Sequence, residues 1–222
     1  MYKKVLIAED QQTISKGLKS SLETFGIGKI DTTHYCDNAI LKIKAALKKN
    51  MPFDLLITDL SFKEDHHSRD VKSGTELIEQ VKKIQPDLRI IVFSIENRVG
   101  KVKKLLDEYF IDAYISKGRR EFEDIKKALQ IVFDGGKYYS DSISMLLRNS
   151  RNISEVSNSD TLILKLLAGG LKQKQIPEYF KKNNIPSGSK RSIEYRLQEL
   201  KTIFGAETLP QLISITKDIG LI

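Results

Sequence analysis

The chain has 222 residues, 40% of them hydrophobic and 30% charged, with a formal net charge of +8 and a pI near 9.3. This composition is typical of a globular protein with one large domain or two of ordinary size. It excludes a disulfide scaffold, because Cys36 is the only cysteine, and no apolar run approaches the roughly 20 residues of a membrane span. We therefore expect a cytoplasmic protein, and the basic excess favours a polyanionic partner.

Residues 3–135 alternate short apolar runs, typical of buried strands, with amphipathic stretches, typical of helices. The first amphipathic stretch, for example, places Ile14, Leu18 and Leu22 on one helical face. The strand candidates span 4–10, 29–35, 53–60, 88–95 and 112–118, and the helix candidates that follow them span 12–26, 38–49, 74–84, 99–110 and 121–136. Five strand–helix units in series predict an α/β fold with a doubly wound, five-stranded parallel sheet.

The alternation stops in a polar segment rich in Ser and Asn, which predicts a linker at 139–156. Beyond it, consecutive helix candidates occupy 160–170, 172–183, 189–204 and 209–220, without strand signals between them. The chain is therefore predicted to hold a first domain at 1–138 and a small all-α domain of four helices at 157–222.

The predicted strands end on residues that carry chemistry. Because the carboxyl ends of parallel strands meet at one edge of a sheet, these side chains are expected to converge. Three carboxylates in one place would repel one another unless a divalent cation lay between them, and oxygen ligands favour Mg²⁺. A carboxylate there could also act as a nucleophile toward a phosphoryl group, with an ammonium and a hydroxyl in contact with it. The residues are Glu9 and Asp10 after the first strand, Asp59 after the third, Ser94 in the fourth and Lys117 after the fifth.

These five positions resemble the acidic pair, phospho-acceptor aspartate, switch hydroxyl and lysine of response-regulator receiver domains, which have a flavodoxin-like fold. The resemblance implies that the three carboxylates bind Mg²⁺ together with the backbone carbonyl of Ser61. It also implies that a sensor histidine kinase phosphorylates Asp59. Tyr114, three residues before Lys117, matches the aromatic switch position of the family.

The segment 61–74, SFKEDHHSRDVKSG, departs from the family pattern. It is longer than usual and lacks the proline that usually follows the acceptor aspartate. His66 and His67 are adjacent, so they cannot share one helical face or one side of a strand. An exposed loop is therefore favoured over a transition-metal site at these histidines.

The second domain resembles a LuxR/NarL-type helix-turn-helix. LILKLLAGGLKQKQIPEYF matches its scaffold helix, turn and second helix, and SKRSIEYRLQELKTIF matches its recognition helix. Ile193, Leu197, Leu200 and Phe204 are spaced to bury one stripe of that helix. The opposite face and the preceding turn supply the candidate DNA contacts, because such a helix can lie in the major groove. These candidates are Lys174, Ser189, Lys190, Arg191, Glu194, Tyr195, Gln198 and Lys201.

Three features of this domain depart from the family. Glu194 and Gln198 occupy positions where members often place lysines, and the turn before the recognition helix is longer than usual. Pro177 falls in the second helix, where proline is tolerated only near the start. A different base preference and weakened DNA binding would each explain the pattern.

The favoured hypothesis is a two-component response regulator that is phosphorylated on Asp59, forms a homodimer and binds promoter DNA, and that is not an enzyme acting on a metabolite. One alternative keeps the receiver and makes the helical domain a protein-interaction module. Another is a haloacid-dehalogenase-like phosphatase, which would need a second aspartate two residues after its nucleophile. Ser61 occupies that position and argues against it.

Overall fold

The computed structural model describes residues 2–63, 70–151, 155–186 and 188–222. The chain divides into two compact units, with the main division between Ile143 and Ser144. None of the helices in the described ranges is long and apolar enough to cross a membrane.

The first unit is built on a parallel sheet. Within the described ranges its strands are β1 (Val5–Ala8), β2 (Ile30–Thr33), β3 (Leu55–Thr58), β4 (Arg89–Ser94), β5 (Ala113–Ser116) and β6 (Tyr138–Tyr139). The order across the sheet is β2-β1-β3-β4-β5-β6, and each neighbouring pair is parallel. Its helices are α1 (Gln12–Thr24), α2 (Cys36–Lys48), α3 (Gly74–Ile84), α4 (Val99–Asp107) and α5 (Glu121–Phe133), and the main division between the units falls within α6 (Asp141–Arg151). The predicted doubly wound α/β architecture is confirmed.

The core of this unit explains why β1 is apolar throughout and why β3 is apolar as far as Thr58. Leu6 and Leu56 are as fully buried as their neighbours, so both faces of the central strands are covered, as parallel sheets require. On one face, Val5, Ile7, Leu55 and Ile57 pack with Leu18 and Leu22 of α1 and with Ile125, Ala128, Leu129 and Val132 of α5.

The sheet has one strand more than the sequence predicted. Strand β6 extends the edge beyond β5, where the backbone N–H of Tyr138 donates to the carbonyl of Asp112 at 3.0 Å and that of Ser140 donates to Tyr114 at 3.0 Å. The Ser140 hydroxyl also accepts from the backbone N–H of Ser116 at 3.1 Å. A two-residue strand has no alternation to detect, and helix α6 follows it within the segment predicted as a linker.

The second unit is helical, as predicted. It contains α7 (Asn158–Ala168), a short 3₁₀ turn (Gln173–Gln175), α8 (Ile176–Lys182), α9 (Lys190–Phe204) and α10 (Leu209–Asp218). Pro177 lies in the first turn of α8, where a missing backbone donor costs no helical hydrogen bond.

Helix α9 has well-defined ends and a buried stripe. The Ser189 hydroxyl caps it by accepting from the backbone N–H of Ser192 at 3.1 Å, and Gly205 ends it with a left-handed φ of 64°. The predicted apolar stripe is found: Ile193, Leu197, Leu200 and Phe204 are all buried.

The turn between α4 and β5 contains a strained residue. Phe110 has a φ of 50°. The residue is 66% exposed, so removing its ring loses little packing energy. For an L-amino acid other than glycine, the left-handed conformation costs roughly 1–2 kcal/mol.

We therefore predict that Phe110→Gly raises the free energy of unfolding by about 1 kcal/mol, because glycine adopts this conformation without a steric penalty. Urea unfolding of the full chain measures the change. Phe110→Ala is the matched control, since it removes the exposed ring and keeps the strain. An equal gain in the alanine variant would contradict the assignment of the cost to the backbone.

Candidate functional site

The sheet order creates a crevice at the carboxyl ends of the strands. From β1 the chain passes to β2 on one side and then to β3 on the other, and ligands of open α/β sheets bind where the order reverses in this way. Glu9 and Asp10 follow β1 and Asp59 follows β3. Their carboxylates offer oxygen atoms that all lie within 4.8 Å of one another. The predicted acidic cluster is therefore assembled.

Lys117 joins this cluster from the far side of β4. Its Nζ lies 2.8 Å from Glu9 Oε2 and 2.6 Å from Asp59 Oδ2, and the three side chains are only 7%, 1% and 3% exposed. The backbone N–H of Lys117 donates to the carbonyl of Ser94 at 3.0 Å, which fixes where the side chain starts.

The charges within this cluster do not balance. Burial lowers the pKa of Lys117, but its hydrogen bonds with Asp59 and Glu9 outweigh burial, so its pKa lies above the ordinary value. Burial raises the pKa of Glu9 in spite of the opposing contact with Lys117. One ammonium therefore does not offset all the negative charge, and a further cation would be stabilised here.

Both oxygens of Asp59 are held. Oδ1 accepts from the backbone N–H of Leu60 at 2.6 Å and of Ser61 at 3.3 Å, while Oδ2 contacts Lys117. The start of α3 packs against the same residue. A Cβ atom on Gly74 would lie 1.8 Å from the carbonyl oxygen of Asp59, so only glycine permits this approach.

Asp10 has one carboxylate oxygen that lacks a donor among the described residues. Its Oδ2 accepts from the backbone N–H of Lys63 at 2.9 Å. Its Oδ1 is buried, and no group in the described part of the chain donates to it. An unpaired buried carboxylate oxygen is unfavourable, so this atom is a candidate ligand for a hard cation.

His34 also belongs to this edge, although the sequence analysis did not select it. It follows β2, and its Nδ1 donates to the backbone oxygen of Glu9 at 2.8 Å. The strand-end rule that found the other residues would have found it too, since β2 ends one residue earlier. His66 and His67 lie outside the described residues.

The two predicted switch residues, Ser94 and Tyr114, meet at the segment that follows β4. Both side chains are fully buried. Ser94 Oγ accepts from the backbone N–H of Glu96 at 3.3 Å, and the Tyr114 hydroxyl donates to the carbonyl oxygen of Glu96 at 2.6 Å. Burial raises the pKa of Tyr114, so its hydroxyl stays protonated as a donor.

The second unit presents the predicted DNA contacts on one exposed surface, which we call the α9 face. Lys174 of the 3₁₀ turn lines one groove of about 390 Å³ together with Lys190 and Glu194 of α9. Lys201 is half-buried, whereas the other predicted contacts are exposed. The α9 face comprises Lys174, Ser189, Lys190, Arg191, Glu194, Tyr195, Gln198 and Lys201.

An ion pair between a buried carboxylate and a partly buried guanidinium fixes α9 against α7. Arg196 donates from Nε to Asp160 Oδ1 at 2.7 Å and from Nη2 to Oδ2 at 2.8 Å, and Asp160 is 1% exposed. Asp160 also forms a reciprocal capping box with Ser157. This pair was not predicted from the sequence. The Ser-Asn-Ser-Asp spacing before an apolar run would have indicated the cap, but nothing in the sequence indicated that Arg196 pairs with it.

Comparisons with known proteins agree with this geometry. The family model of the response regulator receiver domain matches residues 5–130, more than half of the chain. The chain belongs to the response regulator family. Its receiver domain is the unit that carries Asp59.

Individual relatives cover more of the chain. The transcriptional regulatory protein RcsB of Escherichia coli is 27% identical over 174 residues, which are 75% of this chain and 74% of RcsB. A structure of two RcsB dimers bound to two parallel DNAs matches with a TM-score of 0.57 and 26% identity, covering 99% of this chain and 100% of that one. The isolated receiver domain of RcsB from Salmonella enterica serovar Typhimurium, with the phosphomimetic BeF₃⁻, matches with a TM-score of 0.52 and 27% identity, covering 65% and 97%.

The Asp160–Arg196 pair makes the stability of the second unit depend on pH. Burial raises the pKa of Asp160, but the bonds from Arg196 and Ser157 outweigh burial, so its pKa lies below the ordinary value. The stabilisation is therefore complete above the unfolded pKa of about 3.9 and is lost as the pH falls toward the lower folded pKa.

We predict that the difference in unfolding free energy between the wild type and Asp160→Asn shrinks as the pH falls from about 5 toward 2. Urea unfolding at a series of pH values measures this difference. If the two units unfold separately, the relevant transition is the one that moves when Asp160 is replaced. Asp218→Asn, at the end of α10, serves as a control without this ion pair. A difference that is constant across the range would contradict the assignment.

Proposed function

We propose that the protein is a two-component response regulator of transcription. Asp59 accepts a phosphoryl group from a sensor histidine kinase, and the phosphorylated chain dimerises and binds promoter DNA in the cytoplasm rather than converting a metabolite. The observation that carries the proposal is the buried Lys117 ammonium, 2.6 Å from Asp59 and 2.8 Å from Glu9, at the strand edge where three carboxylates converge.

The chemistry follows from the atoms at this edge. A carboxylate oxygen of Asp59 attacks the phosphorus of a phosphohistidine; a P–O bond forms, the P–N bond breaks, and its electron pair leaves with the imidazole, which takes up a proton. Lys117 stands beside the acceptor and stabilises negative charge on the phosphoryl oxygens. Ser94 Oγ accepts from the backbone of Glu96, which leaves its own proton available for a phosphoryl oxygen.

The same residues fit a magnesium ion. The carboxylates are an oxygen-only donor set, as Mg²⁺ prefers, and Asp10 Oδ1 lacks a donor among the described residues. Glu9, Asp10 and Asp59 would hold the ion with the backbone carbonyl of Ser61. When bound, it neutralises the carboxylates and the transferring phosphoryl group.

The response of the receiver domain to phosphorylation is proposed to pass through the segment after β4. A phosphoryl group that recruits the Ser94 hydroxyl changes the environment of Glu96, whose carbonyl holds the Tyr114 hydroxyl. Phosphorylation then stabilises whichever arrangement of this segment and Tyr114 binds the acyl phosphate better.

DNA binding by the second unit is supported by the α9 face and by the relatives. Lys190 and Arg191 lie in the first turn of an exposed helix, where they can reach phosphates or base edges. The RcsB structures that match this chain include dimers bound to DNA. The alternative, a protein-interaction module, rests on the acidic Glu194 on the same face.

We predict that the full chain, incubated with a small phosphodonor and Mg²⁺, gains one phosphoryl group and that Asp59→Asn does not. An amide at this position cannot form the acyl phosphate. Intact-mass spectrometry measures the gain. Asp70→Asn is the matched control, because Asp70 is an exposed carboxylate that is not one of the three clustered carboxylates and should leave the gain unchanged. A gain that persists in Asp59→Asn would refute the assigned acceptor.

We also predict that replacing Lys190 and Arg191 with alanine weakens DNA binding and reduces the slope of log K against log salt by about 1.8, since each phosphate contact contributes roughly 0.9. Titration at several salt concentrations measures the slope. The matched control replaces Lys48 and Lys49, which are exposed in the first unit. An unchanged affinity would show that α9 is not the recognition helix, and no binding at any salt concentration would favour the protein-interaction module.

A further inference from the structure

The α9 face carries a carboxylate in a place where DNA phosphates would repel it. Helix α9 contains two glutamates, and they differ in their contacts. Both carboxylate oxygens of Glu199 accept hydrogen bonds: Oε1 from the Tyr195 hydroxyl at 2.9 Å and Oε2 from the Arg196 guanidinium at 2.8 Å. Among the described residues, the cation nearest to Glu194 is Lys190 at 3.9 Å, beyond hydrogen-bond distance, and the Glu194 side chain is 51% exposed. Glu194 is thus available to accept from a ligand.

The surroundings of Glu194 make it compatible with a polyanion. The groove that it lines is also lined by Lys172, Lys174 and Lys190. Three lysines around one carboxylate leave the groove with a positive balance, so the groove can approach phosphates while the carboxylate faces the bases.

The helix that carries Glu194 is also held firmly. Arg196, two residues further along α9, forms a bidentate ion pair with the buried Asp160 of α7. A side chain can discriminate between bases through a contact with the base edge only when a rigid element holds that side chain in place. Glu194 meets this condition, because the ion pair fixes α9 within its own unit.

We propose that Glu194 is a specificity-determining residue that reads cytosine in the major groove, a proposal that rests on the DNA-binding function proposed above. A carboxylate can only accept, and the cytosine edge offers the N4 amino group without an adjacent acceptor. Guanine and thymine present acceptors that repel it. Adenine offers a donor at N6, but its neighbouring N7 acceptor faces the carboxylate unpaired.

The substitutions that test this assignment change the hydrogen-bonding character of one exposed side chain. Glu194→Gln supplies a donor beside the acceptor, which suits adenine, and Glu194→Lys supplies donors alone, which suit guanine. Both replacements are good helix formers, so α9 is expected to persist, and circular dichroism checks this. Glu207→Gln and Glu207→Lys, at an exposed glutamate beyond the end of α9, make the same charge changes outside the α9 face.

The experiment selects DNA from a pool of random-sequence duplexes with the full chain, phosphorylated by a small phosphodonor, and sequences what is retained. For the wild type we expect one position at which cytosine is enriched over guanine about tenfold or more. At that position Glu194→Gln should shift the preference toward adenine and Glu194→Lys toward guanine. The Glu207 variants should retain the wild-type preference.

The outcomes separate this proposal from the one on which it rests. Glu194 variants that select the same bases as the wild type at every position would overturn the reading of cytosine, while the binding itself would uphold the DNA-binding function. Retention of no duplex by the wild type, even at low salt, would overturn both. A shift that also occurs in the Glu207 variants would mean that net charge, not base contact, causes it, and would overturn the proposal as well.

Discussion

The receiver domain depends on one buried interaction, the contact of the Lys117 ammonium with Glu9 and Asp59. A charge removed from water is costly unless it is paired, and breaking such a pair costs about 3–5 kcal/mol. Each of the three groups therefore requires the others. The sheet satisfies that requirement because β1, β3 and β5 run parallel and end at one edge. The grouping that holds the Asp59 carboxylate in place is also the grouping that we propose for phosphoryl transfer.

The second unit also depends on a buried carboxylate that is paired with a cation, but there the pair supports a helix rather than a reaction site. Arg196 and Asp160 are paired across α7 and α9, and their geometry fixes the helix whose exposed side carries the α9 face. In the first unit the buried charges are the proposed reacting groups, whereas in the second unit the ion pair supports a surface. In both units a paired charge in a low-dielectric interior selects one arrangement, because every alternative leaves a charge unpaired.

Much of this organisation could be predicted from the sequence because its signals are local. The alternation of apolar runs and amphipathic stretches predicted the parallel sheet, and the rule that strand ends carry function selected Glu9, Asp59 and Lys117. Strand β6 escaped prediction because two residues give no periodicity, and only its hydrogen bonds to β5 define it. The pairing of Arg196 with Asp160 was missed because no sequence pattern links residues 36 positions apart, whereas His34 was missed although its place directly after β2 could have indicated it.

The sequence by itself determined the class of fold, the strand-end residues and the apolar stripe of α9, since each follows from a period or a position along the chain. The tertiary structure alone decided which oxygens are occupied. It placed Lys117 between Glu9 and Asp59, left Asp10 Oδ1 without a donor among the described residues, and paired Arg196 with Asp160. Hydrogen bonds have a range of about 3 Å and a preferred direction, so pairing is settled only when distant segments are packed together.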